Sequence, residues 1–237
     1  LVFLGATAWS TGGLGVKWLT AEAEGAAMLV SGFRAVFAGL VFLVAARGRV
    51  LPPKGKAARW FWLGAFSYAM VITGFVAATF MTTAANAIFI QDTMPVWVLL
   101  LSVPLLGERP TRRDAFAIVL GLGGVALCVR EGLMQPRVAG FFSLQTLGDL
   151  TALATGVFFA LTAIAMRRAA RSKDSAGETL TFLFAGNVIA AIFSTGLLLA
   201  LPFERELLVA AEFSPATLGA GVALGIGQLG LGYFLVQ

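Results

Sequence analysis

Eight long apolar stretches constrain this sequence more than any other feature. A helix needs about 20 apolar residues to cross the hydrocarbon core of a membrane. Because the chain is 59% hydrophobic and only 12% charged, it has more apolar residues than one soluble core can bury. We therefore predict an all-α integral membrane protein with eight transmembrane helices. They span roughly Val2–Leu19, Ala26–Ala46, Trp60–Thr79, Thr82–Leu106, Ala115–Val129, Gly148–Met166, Thr179–Leu201 and Ala216–Gln237.

Basic residues are concentrated in alternate loops between these stretches. Twelve of the seventeen Lys and Arg residues lie in or beside RGRVLPPKGKAAR, GERPTRRD and RRAARSKDSAGE, whereas the intervening loops hold three. By the positive-inside rule the basic loops are cytoplasmic, which predicts a multi-pass protein of the inner (plasma) membrane. The net charge of +5 then requires no nucleic acid as a partner.

The missing residue types exclude several kinds of chemistry. The sequence has no histidine, so it lacks the commonest general base and any histidine-based metal site. The single cysteine, Cys128, lies in an apolar stretch, where core packing is its ordinary role. We therefore predict neither an enzyme nor a site for a metal or cofactor.

Both ends of the sequence fall within apolar stretches. The opening LVFLGATAWSTGGLGV lacks a basic n-region and further spans follow it, so we expect a first transmembrane helix and not a signal peptide. The closing LGYFLVQ stops inside an apolar run, so we expect a fragment of a longer protein.

Weak internal similarity indicates two homologous units. FRAVFAGLVFLVAA resembles TFLFAGNVIAAIFS, which aligns Ala38-Gly39 with Ala185-Gly186, and VITGFVAATF resembles GQLGLGYFLVQ, which aligns Gly74-Phe75 with Gly232-Tyr233. Because the first five predicted spans end on the outer side, the second unit would be inverted relative to the first. Inverted repeats are typical of secondary transporters, whose substrate site lies near the midplane between the halves.

One long block resembles a known family. The run TTAANAIFIQDTMPVWVLLLSVPLLGERPTRRDAFAIVLGLGGVALCV is similar to the fourth and fifth helices of the EamA repeat, in the ten-helix branch of the drug/metabolite transporter superfamily. The matching residues are Ala84, Ala85, Ala87, Pro95, Gly107, Glu108, Arg109, Gly121, Gly123, Gly124 and Val125.

The resemblance implies both an architecture and an activity. It implies two inverted five-helix repeats, with the first at residues 1–130 and the second, reduced to three helices, at residues 146–237. It also implies export or import of small metabolites such as amino acids, driven by an ion gradient or by exchange, and we expect an exporter that works by alternating access. The expected partners are a small-molecule substrate, a coupling proton or counter-substrate, and the lipid bilayer, with the protein a monomer or homodimer.

Two charged residues lie inside predicted spans. Measured from outer ends near Ala26 and Thr82 at about 1.5 Å per residue, Arg34 and Asp92 lie roughly 12 and 15 Å below the outer surface. Intramembrane charges usually face a cavity or a partner. Asp92 is thus expected either to pair with Arg34, which would lock two helices together, or to form part of a substrate or proton site.

Further candidates surround Asp92. Pro95 removes the hydrogen bond to the carbonyl of Gln91 and favours a kink, which either exposes a polar break or only improves packing. The predicted substrate-binding residues are Asp92, Gln91, Asn86, Trp9, Tyr68, Gln228 and Tyr233. The alternative function is a non-transporting membrane scaffold or sensor, in which these residues would serve packing alone.

Overall fold

The protein is described by a computed structural model that covers residues 15–16, 18, 27–108, 111–128, 143–169, 175–202, 219 and 221–231. This part of the chain is helical and contains no β-strand. Its helices are α1 (Ala27–Ala45), α2 (Lys56–Met81), α3 (Ala84–Gln91), α4 (Met94–Leu106), α5 (Arg112–Cys128), α6 (Leu144–Ala169) and α7 (Ser175–Ala200). An eight-residue π-helix, Leu224–Leu231, follows and is here called the π segment.

Five helical stretches in the described part are long and apolar enough to cross a membrane, with α3 and α4 together forming one of them. These five coincide with the second, third, fourth, sixth and seventh predicted spans. Helix α5 occupies the position of the fifth but has only 17 residues. The predicted first span and much of the eighth lie outside the described residues, so the total of eight stays a prediction.

The predicted boundary between the third and fourth spans, at Thr79–Thr82, is a true helix end. Helix α2 stops at Met81, and Thr82 adopts an extended conformation with φ −129° and ψ −173°. Thr83 then caps α3, because its side chain accepts a hydrogen bond from the backbone N–H of Asn86 at 3.1 Å. The cap satisfies one of the free N–H groups at the start of α3.

The bundle is organised around α2, which packs against α6 and α7 and also contacts α1 and α3. Helix α1 packs along α7 and along the π segment, whereas α3 and α4 both lie on α6. Helix α5 contacts α4 and presents large apolar side chains outward, including Phe116 and Leu127, which are 69% and 76% exposed. Exposed apolar surface of this kind suits contact with lipid.

Small residues allow α1 and α7 to cross closely. A Cβ placed on Gly32 would lie 3.6 Å from Cβ of Ser194, and one on Gly39 would lie 3.5 Å from Cβ of Asn187. At the same crossing, the Ser194 hydroxyl donates to Ser31 Oγ at 3.0 Å and lies 3.2 Å from the hydroxyl oxygen of Thr73 on α2. Small residues at the interface and hydrogen bonds between helices are the main means of joining helices in lipid.

We predict that Gly186→Ala on α7 destabilises the protein by about 1–3 kcal/mol, the usual cost of forcing an extra carbon into a packed core. The added Cβ would lie 2.5 Å from Cδ1 of Tyr68 and 3.1 Å from the carbonyl oxygen of Ala65. Thermal unfolding in detergent micelles measures the effect. The matched control is Gly196→Ala on the same helix, where the new carbon meets nothing within 4 Å and stability should not fall. Equal losses in both variants would contradict the packing argument.

Candidate functional site at an interrupted helix

The predicted span Thr82–Leu106 is interrupted at the position of the candidate residues. Helix α3 ends at Gln91, and α4 begins at Met94. Between them Asp92 and Thr93 form a turn, and their N–H groups bond the carbonyls of Ile88 at 2.8 Å and Ile90 at 3.2 Å. Pro95 stands in the first turn of α4, where the missing N–H of proline costs little. The proline therefore starts a new helix and does not merely bend an existing one.

Helix α6 packs directly against this interruption. Gly156 lies so close that a Cβ added there would be 3.2 Å from the carbonyl oxygen of Gln91 and 3.3 Å from Oγ1 of Thr93. One residue earlier, the Thr155 hydroxyl donates to Oε1 of Gln91 at 3.2 Å and to the carbonyl of Ala152 at 2.7 Å. The glycine lets the helix approach, and the hydroxyl fixes the orientation of the Gln91 amide.

Asp92 also lines a cavity between α4 and α5. Within the described part of the chain, its carboxylate forms no ion pair or side-chain hydrogen bond. The cavity has a volume of about 430 Å³. Its lining consists of Asp92, Met94, Pro95, Ala117, Ile118, Gly121 and Leu122.

A second cavity of about 560 Å³ continues toward the basic loops. The two cavities share four lining residues, so together they form one groove, here called the α4–α5 groove. The second cavity is lined by Met94, Pro95, Val98, Leu99, Ser102, Glu108, Asp114, Ala117, Ile118, Ala163 and Arg167. Arg167 lies 3.5 Å from Glu108, so its charge is partly balanced.

Arg34 belongs to a different polar cluster. It lies on α1, 2% exposed, and its charge interacts with the hydroxyl of Tyr68 on α2. On α7, the buried amide of Asn187 donates to the carbonyl of Leu183 at 2.8 Å. Among the described residues, Asp92 has no ion pair with Arg34, since α1 packs on α2, α7 and the π segment, whereas the interrupted helix packs on α6. The expected pairing of these two charges is therefore absent from the structure.

A third polar cluster, here called the Thr82 cluster, joins α2, α3 and α6 where α2 ends and α3 begins. The Thr82 hydroxyl donates to Oδ1 of Asp149 at 2.8 Å and accepts from Nδ2 of Asn86 at 3.4 Å. Asn86 is 1% exposed, and its Oδ1 has no hydrogen-bond partner among the described residues. Asn86 thus lies in a contact between helices, apart from the α4–α5 groove.

The structure divides the predicted site residues into separate groups. Gln91 and Asp92 meet at the interruption, Tyr68 lies with Arg34, and Asn86 belongs to the Thr82 cluster. Trp9 and Tyr233 lie outside the described residues, as does the side chain of Gln228, whose backbone is in the π segment.

Sequence reasoning missed three important residues. Thr155 and Gly156 carried no signal, because a threonine and a glycine in an apolar span are ordinary. Asn187 did carry a signal, since it directly follows Gly186, which the internal repeat aligns with Gly39. Within the described residues, no cluster of His, Cys, Asp or Glu could hold a metal ion.

Comparisons with known proteins agree with the helical architecture. The sequence profile of the EamA-like transporter family matches residues 1–130. One solved crystal structure superposes on 97% of this chain and 79% of its own chain, with a TM-score of 0.62 and 20% identity. At that identity the likeness shows the fold alone. No curated protein gives a significant match.

We predict that Thr82→Val destabilises the protein by about 1–3 kcal/mol, because it removes a hydroxyl shared by a buried amide and a carboxylate. Thr82→Ser keeps that hydroxyl and should remain close to the wild type. Thermal unfolding in detergent compares the two variants. A Thr82→Val variant as stable as the wild type would contradict the contribution of these hydrogen bonds.

Proposed function

Because this chain belongs to the EamA-like transporter family, we propose that it is a secondary transporter that exports small metabolites such as amino acids across the inner membrane by alternating access. Members of this family are membrane transporters of the drug/metabolite type, and several apolar helices of the chain are long enough to span a bilayer. Cargo, direction and mechanism are parts of the proposal.

The observation that carries the proposal is the interrupted helix. The turn at Asp92 comes eight residues after α3 begins, which is about 12 Å into the membrane at 1.5 Å per residue. Irregular backbone at such depth is tolerated only where it is buried in protein or lines a water-filled cavity. Here the turn carries the carboxylate that lines the α4–α5 groove. Broken helices that present polar groups at depth are typical of transporter sites.

The packing of α1 and α7 supports two inverted repeats. The sequence aligns Gly39 with Gly186, and Gly39 lies against Asn187, the residue next to its repeat partner. A two-fold axis in the membrane plane would require equivalent positions of antiparallel helices to meet in this way. The repeats also predict that α1 meets the π segment as α7 meets α2, and both contacts are present.

The repeats predict that the loop between α1 and α2 and the segment just before α6 lie on opposite sides of the membrane. In a Cys128→Ser background, we expect Ser143→Cys to react with an impermeant maleimide from outside the cell. Lys54→Cys, in a basic loop, should react only after the membrane is permeabilised. Labelling of both positions from one side would contradict three crossings between them and the assignment of the basic loops to the cytoplasm.

Transport itself is testable in proteoliposomes loaded with a mixture of amino acids and nucleosides. We expect saturable efflux of one solute class. Mass spectrometry measures this efflux with and without a pH gradient. Asp92→Asn should reduce that efflux about tenfold or more, because the groove loses its intramembrane charge, and Asp92→Glu should retain more activity.

The two variants are compared only if their thermal unfolding matches that of the wild type. Efflux that survives Asp92→Asn would leave the protein a transporter and reduce Asp92 to a structural role. No efflux of any tested solute from well-folded protein would count against this cargo class and favour the non-transporting scaffold.

A further inference from the structure

The Thr82 cluster contains a buried amide whose hydrogen bonds are incomplete. Asn86 is 1% exposed, and its Nδ2 lies 3.4 Å from the hydroxyl oxygen of Thr82, which is long for an N–H···O hydrogen bond. Its Oδ1 has no hydrogen-bond partner among the described residues. A buried amide oxygen without a partner costs free energy, so a further group that binds oxygen would stabilise this arrangement.

The cluster brings together three kinds of oxygen. The Thr82 hydroxyl lies 2.8 Å from Oδ1 of Asp149, and a half-turn of the Asn86 amide would place Oδ1 beside the same hydroxyl, where Nδ2 now lies. Carboxylate, amide and hydroxyl oxygens are the ligands that hard metal cations prefer. Among the described residues the cluster has a single carboxylate, which matches an ion of single positive charge.

The backbone around the cluster also favours a cation. Helix α2 ends at Met81, and the last carbonyls of a helix lack intrahelical donors and carry partial negative charge. Gly148 brings α6 against this helix end, because a Cβ added there would lie 2.9 Å from the carbonyl carbon of Met81 and from the backbone nitrogen of Thr82. In transporters, helix C-termini and unwound carbonyls commonly hold Na⁺.

We propose that the Thr82 cluster binds a monovalent alkali cation such as Na⁺ through Thr82 Oγ1, Asn86 Oδ1 and the Asp149 carboxylate. Asp149 is partly exposed, so the ion has access from water. This site goes beyond the proposed transport function and is separate from the α4–α5 groove. It also departs from the prediction of no metal site, which rested on the lack of His and on the apolar surroundings of the one Cys.

Binding at this position would act on the interrupted helix. The ion would join residues of α2, α3 and α6, and α3 leads within eight residues to the turn at Asp92. Bound Na⁺ would therefore hold the first half of the interrupted helix against α6.

Thermal unfolding of the purified chain in detergent tests the proposal. NaCl is replaced stepwise by choline chloride, which keeps the ionic strength constant and supplies a cation too large for a set of three protein oxygens. An ion that binds only the folded state raises its stability. We expect the unfolding temperature to rise with Na⁺ and then to saturate. Equilibrium dialysis with radioactive sodium measures the same binding directly, and a parallel titration with KCl shows which alkali cation is preferred.

Variants locate the ion. Asp149→Asn removes the charge, and Asn86→Ala removes the amide oxygen, so each should weaken sodium binding about tenfold or more. Thr82→Ser keeps the hydroxyl and should retain binding. The matched control is Glu178→Gln, which removes a carboxylate from the first turn of α7 and should leave sodium binding unchanged. Dialysis is carried out at a temperature at which each variant is folded.

Two results would overturn the inference. Equal unfolding temperatures in the chloride salts of sodium, potassium and choline, with no sodium retained in dialysis, would indicate that water alone satisfies Asn86. Sodium binding that survives both Asp149→Asn and Asn86→Ala would place the ion elsewhere. Neither measurement uses metabolite efflux, so this inference and the transport proposal fail or succeed separately.

Discussion

The close crossing of α1 and α7 is the contact on which the rest of the bundle depends. In lipid, apolar surface gains little by leaving the solvent, so helices associate through close packing and hydrogen bonds. Gly32 and Gly39 remove the side chains that would hold the helices apart, and the Ser194 hydroxyl then reaches Ser31. Because Ser194 also lies 3.2 Å from the hydroxyl oxygen of Thr73, α2 joins the same contact, and α2 in turn positions α6.

The interruption between α3 and α4 is stable because α6 is fixed in this way. A helix break inside a membrane exposes backbone carbonyls that lipid cannot satisfy, and each such group costs several kcal/mol. The Thr93 hydroxyl returns a hydrogen bond to the carbonyl of Ile90 at 2.7 Å, and Thr155 binds the neighbouring Gln91 side chain. Gly156 admits the contact of Thr155 by bringing α6 close. The polar turn is therefore tolerated both through its own hydrogen bonds and through the packing of α6.

Apolar length predicted most of the described helices, because the thickness of a bilayer dictates how long a spanning helix must be. The break near Thr82 was also predictable, since one uninterrupted helix would overshoot the membrane. The relation between Arg34 and Asp92 was not. Counting residues at 1.5 Å each fixes the depth of a residue but not the direction of its side chain or the order of helices around the bundle. The two charges lie at comparable predicted depths, yet α1 and the interrupted helix pack against different neighbours.

The separation of these two charges matters for what the protein can carry. Arg34 is 2% exposed and lies close to the hydroxyl of Tyr68, where α1 packs against α2 and α7. Asp92 lines a groove whose other unpaired charge, on Asp114, is also negative. Had the two residues paired, each would have cancelled the other and the groove would have been nearly neutral. Because they are apart, Arg34 lies in the core of the bundle, whereas Asp92 lines the groove.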